Sequence, residues 1–321
     1  MTESRQAIEV TQPVLVLVGP TAIGKTNLSL KLSHEFNGEI VSVDSMQVYR
    51  YMDIGTAKAS SDERNDIVHH LIDIVDPDDE YNAARFSDDA LVAIQKIHQK
   101  GALPVLTGGS GLYLRALRKG LFPEIVVNSN IREELKKRMG QEGSHALHRE
   151  LTSCDPVSAS KIHKNDYYRI GRALEIFLSS GIPLSSHIEQ QKSRPGQTVF
   201  SDLLIIGLTC PRPQLYKRID KRSALMLEGG LEEEVKELLD RGYNSGLKSM
   251  QSIGYRHMIQ YINGNWTIEE TENLLARDTR HYAKRQFTWF NRDQSIFWMD
   301  RNEHGGILRM VDNWLMKKNG L

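Results

Sequence analysis

Three groups of residues in this chain have the types and spacing that chemistry needs. The first is Gly19-Pro20-Thr21-Ala22-Ile23-Gly24-Lys25-Thr26, a complete GxxxxGK[ST] pattern placed directly after the apolar run Val14 to Val18. Its glycines let backbone N–H groups wrap around phosphate oxygens, and the helix that follows turns its positive end toward them. Lys25 would neutralise the outer phosphates and the Thr26 hydroxyl would ligate Mg²⁺. The pattern specifies a di- or triphosphate without saying which; a plain Gly turn is the bland alternative. The second is Asp44, which ends the run Ile40 to Val43 in "EIVSVDSMQVYR". Behind a phosphate loop such a carboxylate either helps to hold the metal or takes a proton, and the pattern leaves both open. The third is Arg222, which shares the apolar stripe of Leu215, Ile219 and Met226 in "PRPQLYKRIDKRSALMLEGG". A guanidinium there needs an anion, which is either a core carboxylate or the phosphate held by Lys25.

A second strand-to-glycine turn, "LPVLTGGSGLYLRAL", surrounds Ser110 with Gly108, Gly109 and Gly111. In a parallel sheet it falls at the same carboxyl edge as the first loop, which aims the Ser110 hydroxyl at the ligand crevice unless the turn is merely tight. His69 and His70 lack a second ligand pair at metal spacing and read as structural. Two helices combine cations with aromatics. In "NDYYRIGRALEIFLSSG", Tyr168, Arg169 and Arg172 oppose the apolar face of Ile170, Ala173, Leu174 and Phe177. The helix from Thr267 carries Arg277, Arg280, His281, Lys284 and Arg285 beside Tyr282, Phe287 and Trp289. Such faces suit a phosphate backbone and unstacked bases, although a basic face is often only solvated.

The elements that must position these groups follow from periodicity. Val14 to Val18, Ile40 to Val43, Leu103 to Leu106, Leu204 to Leu208 and Ile296 to Met299 read as buried strands alternating with helical patterns. That is the α/β class with a mostly parallel sheet. Residues 124–198 hold no strand-like run and read as a helical insert in a core made of 1–123 and 199–321. Within it Asn130 and Glu133 have capping-box spacing, and another helix runs from Asp166 to Gly181. Lys+Arg and Asp+Glu both number 41, so any nucleic-acid binding must come from local patches and not from overall charge. Cys154 and Cys210 form no CxxC pair, no apolar run is long enough for a membrane span, and "MTESRQAIEVTQ" has no signal-peptide character. A soluble, cytosolic protein without membrane contact is expected.

In order, "GPTAIGKT", "DSMQVYRYMDIGTAK", "HHLID", "GGSGLYLRAL", "HKNDYYRIGRALE", "KSMQSIGYR" and "YAKRQFTWF" resemble the tRNA dimethylallyltransferase family, from residue 14 to about 292. The resemblance implies transfer of a dimethylallyl group from its diphosphate to N6 of adenosine 37 of tRNA, with Mg²⁺ as cofactor. It also implies a monomer with a P-loop, kinase-like core whose insert grips the anticodon stem-loop. It makes Asp44 the base on N6, gives Gly19 to Thr26 the diphosphate, and places Arg222 at the leaving group, with Ser110 retained as a catalytic hydroxyl. RNA contacts are implied for Asp44, Ser45, Met46 and Gln47, for Ser110, and for Arg132. They are implied too for Tyr168, Arg169, Ile170, Gly171 and Arg172, and for Gln251, Ser252, Ile253, Gly254, Tyr255 and Arg256. The last stretch is Lys284, Arg285, Gln286, Phe287, Thr288, Trp289, Phe290 and Asn291. Three positions depart from the family: Ser110 where Thr is common, no proline after Lys58, and Asn291 before Arg292 where arginine is usual. No zinc-finger pattern follows the core, as in bacterial members. The rival readings are a P-loop kinase, a prenyltransferase acting on free AMP or ADP, and an ATP-binding RNA module without chemistry.

Overall fold

The computed structural model describes residues 8–121, 129–192 and 198–317. Its strands are β1 (Ile8–Val10), β2 (Val14–Val18), β3 (Gly38–Val43), β4 (His69–His70), β5 (Leu103–Gly108), β6 (Thr198–Phe200), β7 (Leu203–Thr209) and β8 (Ile296–Asp300). Six of them form one parallel sheet in the order β4-β3-β5-β2-β7-β8. All five runs expected to be strands belong to it. Parallel strands covered on both faces must be apolar throughout, and every residue of β2 is buried. Two features were not foreseen: the two-residue edge strand β4, and the separate parallel pair of β1 with β6. Both are too short to carry a period of their own.

The chain leaves β2 toward β3 on one side, whereas β5 and β7, the neighbours of β2, lead to the other side. In such sheets the crevice opens at the carboxyl ends of the strands where the direction reverses. Two glycine turns meet there. One leads from β2 into α1 (Lys25–Glu35). Between β3 and β5 lie α2 (Ser61–Asp66) and α3 (Ala83–Gln99), and the second turn leads from β5 into α4 (Gly111–Lys119). At Gly108 a Cβ would stand 2.0 Å from the Val43 carbonyl oxygen, so only glycine lets this turn approach the end of β3. Leu15, Leu17, Ile23, Leu28, Leu32, Val105, Ile206 and Leu208 form the core beneath the crevice.

The chain divides into two units, residues 1–118 with 197–321 and residues 119–196. The described elements of the smaller unit are all helices: α5 (Ser129–Glu142), α6 (Ser144–Cys154), α7 (Pro156–Ala159), α8 (Tyr167–Ser180) and α9 (Leu184–Lys192). Leu135, Leu147, Leu151, Ile170, Ala173 and Leu174 give it a hydrophobic core of its own. The boundary expected at residues 123 and 124 lies outside the described residues. Helix α5 already includes Ser129, so Asn130 sits in its first turn and not ahead of it as expected. Helix α8 starts and stops where expected. The Asp166 side chain accepts from Arg169 N at 3.2 Å, and Gly181 ends the helix at φ 71°.

The larger unit continues with α10 (Arg212–Glu228), α11 (Leu231–Asp240), α12 (Tyr255–Ile262), α13 (Ile268–Phe290) and α14 (His304–Met316). Leu215 and Ile219 of α10 are buried, but Met226, expected in the same stripe, is only half-buried. Helix α13 opens with a capping box: Thr267 Oγ1 accepts from Glu270 N at 3.2 Å, and Glu270 accepts from Thr267 N at 2.8 Å. An Arg280–Asp220 ion pair joins α13 to α10.

Candidate active site

The phosphate loop is held by side chains from distant parts of the larger unit. Gly24, at φ 110°, turns the chain into α1 in a conformation that a side chain would strain. Arg218 Nε donates to Ala22 O at 2.7 Å, and Arg301 Nε donates to Ile23 O at 2.8 Å. Two loop carbonyls are thereby satisfied by arginines. Thr21 N donates to Gln286 Oε1 at 2.8 Å, and Thr21 Oγ1 accepts from Arg222 at 2.9 Å. The Lys25 ammonium folds back on its own loop, donating to Gly19 O and Pro20 O, both at 2.9 Å. Burial pushes its pKa down to about 7; Asp44 opposes that shift and Arg222 adds to it.

A cleft of about 250 Å³ opens above the loop, lined among others by Thr21, Lys25, Thr26, Asp44, Gln47, Arg218, Arg222 and Tyr282. Three cations thus face one carboxylate. Asp44 Oδ1 accepts from Met46 N at 2.9 Å and from Gln47 N at 3.4 Å, an Asx-type turn that fixes the carboxyl group at the end of β3. Burial raises its pKa despite these bonds and despite the fields of Lys25 and Arg222. Among the described residues neither cation is in ion-pair contact with it. Asp44 is therefore a carboxylate with a raised proton affinity at the edge of a cationic pocket. Arg222, one of two open readings in the sequence, has no salt-bridge partner among the described residues and faces the cleft. Burial lowers its pKa, with Asp44 opposing.

Ser110 lies in the expected turn, with its hydroxyl engaged by neighbouring groups. It is buried, and its Oγ accepts from Ser45 N at 3.1 Å, while Thr107, Gly108 and Gly109, and not Ser110, line the cleft. The hydroxyl is used to hold the backbone beside Asp44. Tyr282 of α13 does line the cleft. Its pKa is raised by burial and then by Asp44, with the Ser110 and Gln286 side chains bonding to the phenol in the opposite sense.

The segment after Asp44 is anchored by groups the sequence did not single out. Gln47 Oε1 accepts from Ser42 Oγ at 2.9 Å. Glu234 of α11 accepts from three consecutive backbone N–H groups, those of Asp53 (2.8 Å), Ile54 (2.7 Å) and Gly55 (3.1 Å), and from Tyr255 Oη at 2.5 Å. Lys58 is enclosed and bonds Tyr49 O at 2.6 Å, Asp53 at 2.7 Å and Asp73 at 2.5 Å.

The other expected residues divide by exposure. In the smaller unit Tyr168 is 73% exposed and Arg169 is exposed, whereas Ile170 is buried. Buried Glu175 accepts from Arg132 Nε and from Arg172, both at 2.6 Å. Burial alone would raise its pKa, but Arg172 and Arg132 outweigh it and hold the carboxyl group below its ordinary value. In the larger unit Arg256 donates to Asp278 at 2.7 Å, and buried His257 shares that carboxylate at 3.2 Å. Arg256, Arg277 and His257 overcome burial and hold Asp278 at about 2. Lys284, Arg285, Thr288 and Asn291 are exposed, but Tyr255, Gln286 and Phe290 are buried and turn inward from the stretches that the resemblance assigned to RNA. The residues that sequence reasoning missed are Arg218, Arg301, Glu234 and Glu175; Tyr282 was noted only as an aromatic beside a basic face. A larger hollow of about 440 Å³, with Arg212, Lys284, Phe287 and Trp298 in its wall, contains no phosphate-loop residue and no carboxylate.

Sheet and loop define a P-loop NTPase-like fold, in which one carboxylate and three cations line a common cleft. The IPP transferase family model matches residues 47–293. The tRNA dimethylallyltransferase of Desulfotalea psychrophila is 52% identical, over 96% of this chain and 97% of that one. The tRNA isopentenylpyrophosphate transferase of Bacillus halodurans superposes with a TM-score of 0.70 at 40% identity, covering 97% and 99%. A eukaryotic dimethylallyltransferase acting on tRNA has a TM-score of 0.69 at 30% identity, covering 91% and 74%. This chain belongs to the IPP transferase family.

Proposed function

We propose that the protein transfers a dimethylallyl group from dimethylallyl diphosphate to N6 of adenosine 37 of tRNA and releases diphosphate. The observation that carries this reading is the shared cleft: the Asp44 carboxylate and the Lys25, Arg218 and Arg222 cations line the same 250 Å³ space. A kinase site also pairs cations with a carboxylate base, and membership of the IPP transferase family is what favours prenyl transfer. Here the cations suit a leaving diphosphate, and the carboxylate suits a nucleophile that must lose a proton.

Adenine N6 is a weak nucleophile because its lone pair is delocalised into the ring. As N6 attacks the allylic carbon, positive charge grows on nitrogen and the carbon–oxygen bond to the diphosphate breaks. Asp44 accepts the N6 proton, and its raised pKa strengthens it as a base. The P-loop amides, Lys25 and Arg222 stabilise the charge that develops on the departing oxygen. For this, Lys25 exchanges its two loop carbonyls for phosphate oxygens. Mg²⁺ suits this donor set, because Thr26 lines the cleft beside Lys25 and a hard cation of this kind is held by few protein oxygens together with substrate phosphates. When bound it would add positive charge at the diphosphate.

The adenine must leave its stack to reach this cleft. Exposed Tyr167 and Tyr168 offer stacking faces, and Arg169 with the Glu175-held Arg132 and Arg172 offers phosphate contacts. A cytosolic site of action fits the two free cysteines and, among the described residues, the absence of a helix long and apolar enough to cross a membrane. The test is incubation with tRNA, dimethylallyl diphosphate and Mg²⁺. Diphosphate release together with prenylated adenosine is expected. ADP formation from ATP with no prenylated product overturns the reading.

A further inference from the structure

We propose that Gln286 is a positioning residue of the prenyl-diphosphate site, whose buried amide locks the phosphate loop to the glycine turn after β5. This rests on the function proposed above. The residue is 5% exposed. Its Oε1 accepts from Thr21 N at 2.8 Å, and its Nε2 donates to Gly109 O at 3.1 Å. An N–H can only donate and a carbonyl can only accept, so these partners fix which end of the amide is oxygen. The fit is mutual, since a Cβ on Gly109 would stand 2.0 Å from Gln286 Nε2.

The consequence passes through Thr21. With its backbone N–H held by Gln286, its hydroxyl is placed to accept from Arg222 at 2.9 Å. One amide on α13 therefore sets the position of the loop and, through Thr21, that of the guanidinium facing the leaving group. Its neighbours Lys284 and Arg285 are exposed, whereas Gln286 is enclosed, so within one helical turn α13 presents cations outward and this amide inward. The side chain is buried in the wall of the Asp44 cleft, so a contact to the entering nucleotide and a positioning role must be told apart by experiment.

Two substitutions separate positioning from an RNA contact and from general support. Gln286→Met keeps length and bulk while removing the bonds to Thr21 and Gly109, together with the one to the Tyr282 phenol. It is expected to raise KM for dimethylallyl diphosphate on the order of tenfold, with the Kd for tRNA unchanged within about twofold. Gln286→Glu keeps the acceptor for Thr21 but sets a second oxygen against Gly109 O. Protonation restores a donor there, so its KM relative to wild type is expected to improve as pH falls from about 8 to about 6. A Gln286→Met protein with unchanged KM and weakened tRNA binding overturns the inference. So does a Gln286→Glu ratio that is flat with pH. Wild type that forms no prenylated adenosine refutes the proposed function instead. Titration with inorganic diphosphate then decides the positioning role by itself: weaker binding to Gln286→Met supports it, and equal binding sinks it.

Discussion

Lys25 should take up a proton when the diphosphate arrives. In the free protein its ammonium is enclosed, bonded only to two loop carbonyls, and depressed to about 7. A diphosphate beside it supplies negative charge, which restores the protonated form toward the ordinary lysine range. Below pH 7 the lysine is already charged and binding changes little; above it, each binding event must recruit a proton. At pH 8 about one free molecule in ten carries the charge, so uptake approaches 0.9 proton per site, against about 0.1 at pH 6. Diphosphate affinity should correspondingly fall about tenfold per pH unit above 7, or ~1.4 kcal/mol. Calorimetric titration with dimethylallyl diphosphate in two buffers of different ionisation enthalpy reads the proton count. Lys25→Gln should abolish the buffer dependence at pH 8. An apparent enthalpy independent of buffer at pH 8 in wild type would refute the reasoning, because the lysine would then be charged before the ligand comes.

Three further outcomes follow from the same structure. Asp44→Asn should lower kcat by about 10²–10⁴-fold with tRNA affinity within a few-fold, and the wild-type rate should fall as pH drops through the raised Asp44 pKa; near-normal turnover would remove it as base. Arg169→Ala combined with Arg172→Ala should weaken tRNA binding and reduce the salt slope by about one for each phosphate no longer neutralised; an unchanged slope would exclude them from the RNA interface. Glu234→Gln leaves three N–H donors sharing a weaker acceptor, so chemical denaturation should show a loss of about 1–3 kcal/mol, and unaltered stability would contradict the anchoring role of this carboxylate.

Much of this site could be read from local patterns. Strands buried on both faces appear as uninterrupted apolar runs, and the phosphate loop is spelled in consecutive residues. Arg222 was visible because a cation interrupted an apolar stripe. Gln286 carries the same signal, a polar residue on the buried face of α13 with Ala283 and Phe290, and the resemblance drew it instead toward RNA. Glu234, Arg218 and Arg301 could not be found this way. Their partners lie about 180 to 280 residues away, and a charge on a helix face (Glu234, Arg218) or in a turn (Arg301) has no local mark of what it will bond. Ser110 was located correctly, but the use of its hydroxyl depends on how closely Gly108 lets that turn approach β3.

The strand order bears on how the protein is made. The central strand β2 pairs with β5 on one side and with β7 on the other. When β5 emerges from the ribosome, roughly 95 residues remain before β7 begins, which at ~5–20 residues per second is about 5–20 s. During that interval Val14-Leu15-Val16-Leu17-Val18 presents an unpaired, uncharged edge, the kind of template on which chains associate wrongly. The helices that emerge in the interval bury a core of their own before the sheet can close. Slowing synthesis between β5 and β7 should therefore cost soluble yield more than the same delay placed after β8.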